Sequence, residues 1–303
     1  MYDFDLQIQT TASDGKHTPT ECVRMAKENG CRTIAITDHD TVTGVAEAMR
    51  EGEKLGVKII PGIEITAEDH HMHILGFGID IYQESLLKLL DTFVVARRER
   101  AKEMVERLRA DGFSVTWDDV LAESHGAVVG RPHIVDAILK RPENKQRLGG
   151  VSTKNDFFKQ FFTDTSKYYV HHANISAEDT IRLIHDAGGV AIWSHPPIPQ
   201  FSGKCREMEI FLRDLIGWGV DGVEALGPSL TADDAACLDR LANEYHLLRT
   251  AGSDFHEVSS PSDKLWPRSA ATIGEYPIYG YSTEGIVEAL ERAIGDRRAT
   301  SAH

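Results

Sequence analysis

Three short apolar runs in this chain end in the same way. Residues 33–36, 190–193 and 248–251 lead directly into Thr37-Asp38-His39-Asp40, Ser194-His195-Pro196 and Gly252-Ser253-Asp254-Phe255-His256. A short apolar run that stops in a polar cluster reads as a buried strand delivering side chains to one mouth of an α/β barrel. Imidazole and carboxylate are the donors that zinc, manganese and iron accept. Several strand ends carrying them point to a multinuclear metal site with a hydrolytic task.

The rest of the chain fits that frame. Residues 3–9 alternate like a strand. Thr18-Pro19-Thr20-Glu21 reads as a capped helix start, with Gly30 as the stop. Residues 44–55 predict a second helix, 57–60 a strand leading into Pro61-Gly62-Ile63-Glu64, and 71–77 another strand. From residue 83 to 167 strand signals fade, and helical spacing takes over at 85–110, 118–123, 132–139 and 155–162. The strand-helix rhythm resumes at Ser176-Ala177-Glu178-Asp179 and continues through a strand at 222–226 to a last helix at 282–294. The predicted fold is an α/β, distorted seven-stranded (β/α) barrel. Residues 1–82 and 171–303 form the barrel, and 83–170 form a helical insertion covering the site.

Charge separates the two parts. Residues 97–167 hold 14 Lys and Arg against 11 Asp and Glu, a net of +3, inside a chain whose net charge is −14. A basic insertion over an acidic barrel suits a lid for an anionic substrate. The overall acidity argues against a general duplex nucleic-acid binder. No apolar stretch is long enough for a membrane span, and the N-terminus lacks signal-peptide character, so a cytoplasmic location is expected. Cys22, Cys31, Cys205 and Cys237 are scattered without a C-x-x-C pair and read as reduced thiols. Among the other histidines, His17, His70, His71, His125, His185, His246 and His303 read as surface or loop residues.

With Ser13-Asp14-Gly15, Gly62-Ile63-Glu64 and His73-Ile74-Leu75-Gly76 added to the three strand-end clusters, the chain resembles the polymerase and histidinol phosphatase (PHP) family. Members of that family are distorted seven-stranded barrels that hold up to three divalent metals and hydrolyse phosphate esters. The resemblance implies one metal at Asp14, His39 and His256, and a second at His73, His195 and Glu64, with Glu64 bridging. A third would lie at Asp254 and Glu64 with two side chains of the first strand. There the family has Asp-Leu-His-x-His-Thr, whereas this chain has Asp5-Leu6-Gln7-Ile8-Gln9-Thr10. Residues two apart on a strand face the same way, so Gln7 and Gln9 remain weak candidate ligands. Two or three divalent ions of manganese, zinc or iron type are the expected cofactors. Asp38 and Asp40, flanking His39, are expected to orient its ring.

Gly130-Arg131-Pro132-His133 opens a helix of the insertion. It resembles a motif facing the metals in a family branch of nucleotide phosphatases and short-RNA exonucleases. Arg131 is the candidate phosphate clamp, and His133 the candidate substrate contact or proton donor. Lys154, Tyr168 and His171 are weaker candidates for the same pocket. The expected activity is metal-dependent hydrolysis of a small phosphorylated substrate, a nucleotide or a short single-stranded RNA end, by metal-activated water. The Gln7 and Gln9 pair motivates an alternative: an impaired barrel that binds nucleotide or metal without turnover. A metal hydrolase acting on C–N bonds is a third reading, disfavoured by Arg131 and the basic insertion.

Overall fold

The computed structural model describes residues 1–67, 72–124, 129–163, 165–170, 175–196, 201–258 and 270–301. Seven strands follow one another in a single sheet in chain order. They are β1 (Phe4–Ile8), β2 (Thr33–Ile36), β3 (Lys58–Thr66), β4 (His73–Phe77), β5 (Val190–Ser194), β6 (Gly222–Leu226) and β7 (Leu248–Ala251). A parallel bridge between Ile8 and Phe255 brings the two ends of the sheet together. Most strand residues are buried, which explains their apolar runs in place of clean alternation.

Barrel helices α1 (Pro19–Glu28) and α2 (Val45–Leu55) follow the first two strands. Thr18 and Glu21 close the predicted capping box on α1. Gly56 ends α2 in the left-handed region at φ 68°. After the insertion come α8 (Ala177–Asp186), α9 (Cys205–Gly217), α10 (Ala232–Glu244) and α11 (Ile286–Ser301). The last helix starts four residues later than its Ser282 signal predicted, after Gly285 at φ 78°.

The sequence reading needs correction at β3, which continues through Pro61-Gly62-Ile63-Glu64 to Thr66 instead of stopping at residue 60. β4 then returns antiparallel, with Thr66 opposite His73 and Gly62 opposite Phe77. Only six residues, 67–72, separate the two strands, and a parallel crossover needs a dozen or more. β5 is antiparallel to β4, with His73 opposite Ser194, and the remaining pairs are parallel. Because β4 alone is reversed, its first residue, His73, reaches the mouth that the other strands reach with their last residues.

The insertion contains α3 (Glu84–Ala110), α4 (Trp117–Ser124), α5 (Arg131–Leu139), α6 (Lys145–Leu148) and α7 (Lys154–Phe161). Its own apolar cluster includes Met104, Leu108, Phe113, Ile134, Ile138 and Phe157. The first turns of α3 pack elsewhere: Leu86, Leu90 and Phe93 belong to the barrel core. One helix is therefore rooted in both cores, which fixes the insertion's approach to the barrel.

Cys205 and Cys237 form a disulfide between α9 and α10, with Cα atoms 5.7 Å apart, and only Cys22 and Cys31 are free. This corrects the expectation of four thiols; a separation of 32 residues gave no sign of the pairing. No helix among the described residues is long and apolar enough to cross a membrane.

Asp5 locks β1 to its neighbours. Its fully buried carboxylate accepts from the backbone N–H groups of Gln7 (3.2 Å), Ser253 (2.9 Å) and Gly274 (2.8 Å). Burial pushes this carboxyl up to about 6, against the pull of those donors. Asp5→Ala leaves three buried N–H groups without an acceptor. At ~1–3 kcal/mol for each, a loss of about 3–9 kcal/mol is expected in urea unfolding. A loss below ~1 kcal/mol would mean that the three donors find other acceptors without cost.

Candidate metal centre

The mouth gathers side chains from six strand ends. Asp14 comes from the turn after β1, in a place built by close contact. A Cβ on Gly15 would lie 2.3 Å from the Gln9 carbonyl oxygen. His39 follows β2, Glu64 lies inside β3, His73 opens β4, His195 follows β5, and Asp254 and His256 follow β7. Asp40, His195 and Asp254 all take positive φ, at 52°, 30° and 47°. Non-glycine residues are costly there, and such strain concentrates at functional sites.

Two sets of donors converge. Asp14, His39 and His256 form one, and His39, Glu64 and His73 another, each with ligand atoms within 4.8 Å of one another. His195 joins the second: its Nε2 lies 3.1 Å from Glu64 Oε1 and 3.0 Å from His73 Nδ1. His73 Nδ1 is 3.0 Å from the same Glu64 oxygen. The other oxygen, Oε2, lies 3.6 Å from His39 Nδ1, so Glu64 touches both sets. His256 Nε2 is 3.6 Å from Asp14 Oδ1.

These separations bear on whether an ion fits. Ligand atoms bound tetrahedrally at ~2.0–2.1 Å from one ion stand about 3.3 Å apart, and the observed separations straddle that value. Asp14 Oδ1 and His39 Nδ1 are also buried with no hydrogen-bond partner among the described residues. Orphaned buried acceptors call for a partner, and a divalent cation supplies one. Both sets fit such an ion.

Electrostatics agree. Burial alone would raise Asp14, but the fields of His39, His256, His133 and Arg97 bring it down to about 2. Burial would likewise raise Glu64, yet His39 and His73 hold it well below the ordinary carboxylate range. Burial pulls the His39 and His256 imidazoles down, favouring the neutral form that ligates metal. The His256 ring is oriented by its Nδ1, which contacts the Asp254 carbonyl at 2.8 Å and leaves Nε2 facing Asp14.

The first-strand pair behaves differently. Gln9 Nε2 donates to Glu64 Oε2 at 2.6 Å. The Gln7 amide is assigned with nitrogen toward Glu224, since the opposite orientation would press two acceptor oxygens together. It then donates to Glu224 Oε1 at 2.6 Å and accepts from Ser194 Oγ at 3.0 Å. Amide N–H groups are donors, the wrong polarity for a cation. Both glutamines face the cleft as expected, but with the third position presented this way they do not fit an ion there. Asp254 lies beside His256, 3.8 Å from Oδ1 to Nδ1, outside both converging sets.

Asp38 and Asp40 do not orient His39. Asp38 accepts from Thr10 N, Thr10 Oγ1 and Ser13 Oγ at 2.6–2.7 Å, pinning the turn that carries Asp14. Asp40 accepts from Thr66 N and pairs with Arg97 Nε at 2.7 Å. Glu224, which the sequence reading passed over, is buried on β6 and accepts from the His195 backbone N–H at 2.7 Å. The signal was there: a lone carboxylate inside an apolar strand run.

The insertion adds His133 and Arg131. His133 Nδ1 accepts from Gly130 N at 3.0 Å, so the neutral ring carries its proton on Nε2, and burial keeps the ring neutral by lowering its pKa. Its field reaches Asp14. Arg131 lies over the rings of Phe158 and Tyr169, 5.8 and 5.4 Å from guanidinium carbon to centroid. Two weaker candidates have other tasks. Lys154 is buried against Asp136 at 2.8 Å, and Lys16 reaches the same carboxylate at 3.1 Å, tying α5 and α7 to the Asp14 turn. Tyr168 bonds Asp111 within the insertion. His185, expected at the surface, is half-buried against Asp221 at 2.8 Å. His70, His71, His125, His171, His172 and His303 lie outside the described residues.

Comparison with known proteins agrees with the fold. Residues 5–145 match the PHP domain model. A 5′-3′ exoribonuclease of Haemophilus influenzae is 32% identical over 255 residues, covering 84% of this chain and 89% of the relative. A 3′,5′-nucleoside bisphosphate phosphatase of Chromobacterium violaceum is 29% identical over 259 residues, covering 84% and 88%. A solved structure from Bifidobacterium adolescentis, assigned as a candidate metal-dependent phosphoesterase, superposes with a TM-score of 0.80 at 31% identity, covering 96% of each chain. The chain belongs to the PHP-domain family of metal-dependent phosphoesterases.

Proposed function

We propose that this enzyme hydrolyses a phosphate ester of a nucleotide or of a short oligonucleotide end, using two divalent ions of the manganese, zinc or iron type. The supporting observation is the meeting of two donor sets at Glu64, within reach of the fields of Arg97 and His133 from the insertion. Asp14, His39 and His256 would hold one ion, and Glu64, His73 and His195 the other. Such a pair activates water and screens phosphate charge when bound. The protein's own groups supply the rest. Arg131 clamps substrate phosphate with its guanidinium fork. His133 presents its Nε2–H as a hydrogen-bond donor to the phosphate or the departing oxygen, steadying developing charge without giving up the proton. Residues 83–170 serve as the cover that brings both residues over the barrel of 1–82 and 171–303.

The two relatives act, by name, on RNA and on nucleoside bisphosphates, which favours nucleotide-like substrates here. The direct test is phosphate release from nucleotides by the manganese-loaded chain. Chelation is expected to abolish release and manganese to restore it. His133→Ala is expected to lower kcat by about 10²-fold with little change in metal content. Failure of the fully loaded chain to hydrolyse any nucleotide phosphate ester would overturn the proposal. It would leave the alternative of a barrel that binds without turnover, which the Gln9 contact to Glu64 favours.

A further inference from the structure

One carboxylate on α5 holds two lysines from different parts of the chain. Asp136 Oδ2 meets Lys154 Nζ at 2.8 Å and Lys16 Nζ at 3.1 Å. Lys154 is the first residue of α7, and its side chain is only 6% exposed. A cation in the first turn opposes the helix dipole, and its burial adds a desolvation cost. Local preference would not put a lysine there; the Asp136 charge offsets both penalties.

Lys16 belongs to the barrel. It follows Asp14 and Gly15, and its backbone N–H donates to the His256 carbonyl at 2.8 Å. The main chain at Lys16 thus joins two members of the first donor set. Asp136 lies three residues beyond His133 in α5, a spacing that puts both on one helix face. That face meets the same turn of the barrel twice: His133 and Asp14 lie within each other's fields, and Asp136 grips Lys16. The Lys16 side chain is 35% exposed. An ion pair so open to water adds little to stability, whereas a displacement of about 1 Å at a reacting group can cost about 10²-fold in rate. The tie therefore matters for placement more than for folding.

We propose that Asp136 is a positioning residue: bound to Lys154 within the insertion and to Lys16 on the barrel, it sets α5 so that His133 faces the Asp14, His39 and His256 donor set. This rests on the phosphoesterase reading above, in which His133 donates to the phosphate. Lys16 is the barrel's half of the registration, and Lys154 is the insertion's half.

The test uses Lys16→Met, which removes the barrel half and leaves the buried Lys154–Asp136 pair intact; Asp136→Asn would strand a buried ammonium and endanger the fold. On the manganese-loaded full chain, with a nucleotide that wild type hydrolyses, Lys16→Met is expected to lower kcat about 10-fold. KM, thermal midpoint and metal content should stay close to wild type. Lys16→Arg keeps the cation and is expected to retain the wild-type kcat. In a His133→Ala background, Lys16→Met is expected to cost less than about 2-fold, because its effect passes through His133. An unchanged kcat in Lys16→Met, a matching loss in Lys16→Arg, or an equal loss in both backgrounds overturns the proposal. If wild type releases no phosphate, the phosphoesterase reading fails separately, and a distance measurement then decides the positioning claim without turnover. Spin labels at Glu28→Cys on α1 and Gln146→Cys on α6, both exposed positions, report how the insertion sits on the barrel. A shifted or broadened distance distribution in Lys16→Met, restored in Lys16→Arg, supports the tie; an unchanged one sinks it.

Discussion

Glu64→Gln is expected to reduce kcat/KM for phosphate release by about 10³-fold or more, and to drop bound metal below that of the wild type after dialysis. The residue is fully buried in β3 and has no contact with water. One oxygen meets His73, His195 and the Ser194 hydroxyl, and the other meets His39 and the Gln9 amide. Among the described residues it is the one carboxylate that touches both donor sets. The substitution conserves shape while removing the negative charge that offsets two cations, and it places an amide NH2 against nitrogen ligands or the Gln9 donor. Elemental analysis should show the metal loss alongside the kinetic loss, and far-ultraviolet circular dichroism should be unchanged. His185→Ala, whose side chain pairs with Asp221 away from this cluster, serves as the comparison and should retain its metal. Full metal and full activity in Glu64→Gln would refute the bridging arrangement.

What the sequence disclosed depended on where each group sits. His39, His195, Asp254 and His256 were legible because each follows the end of a strand, where an apolar run changes abruptly to polar residues, whereas Asp14 came only from the family resemblance. Gln7 and Gln9 were legible as a pair because a strand places alternate residues on one face. The direction of β4 was written in the length of its connection, but the Pro61-Gly62 pair looked like a strand end and hid the continuity of β3. Arg97 was hidden because α3 carries ion pairs such as Lys102 with Glu99 and Arg107 with Glu103 along its surface. Nothing in helical spacing distinguishes a cation that faces a cleft from one that faces water. Cys205 and Cys237 are joined by the packing of α9 on α10, a tertiary fact without a local signature.

The double variant Gln7→His, Gln9→His is expected to bind one more divalent ion per chain than the wild type. In the present arrangement Gln9 fills the space beside Glu64 Oε2 with a donor, and Gln7 does the same for Glu224. These amides satisfy carboxylates hydrogen bond by hydrogen bond, with no added charge. A neutral imidazole at each position reverses the polarity, presenting a lone pair to the cleft while its second nitrogen donates outward. Glu224 is placed to receive that outward proton at position 7, the carboxylate-histidine-metal relation that fixes a ligating ring. Gly252 constrains the swap, since a Cβ there would sit 2.6 Å from the Gln7 Cβ; this packs β1 tightly on β7 and fixes the direction of side chain 7. Metal content after gel filtration, with calorimetric titration of manganese, reads the extra site directly without reference to turnover. A gain in ion number together with a gain in kcat would show that the first strand limits catalysis in the natural chain. A gain in ion number with unchanged kcat would show that two ions suffice. An unchanged ion number, in a variant that folds normally, would refute the claim that the amides occupy the place of a cation.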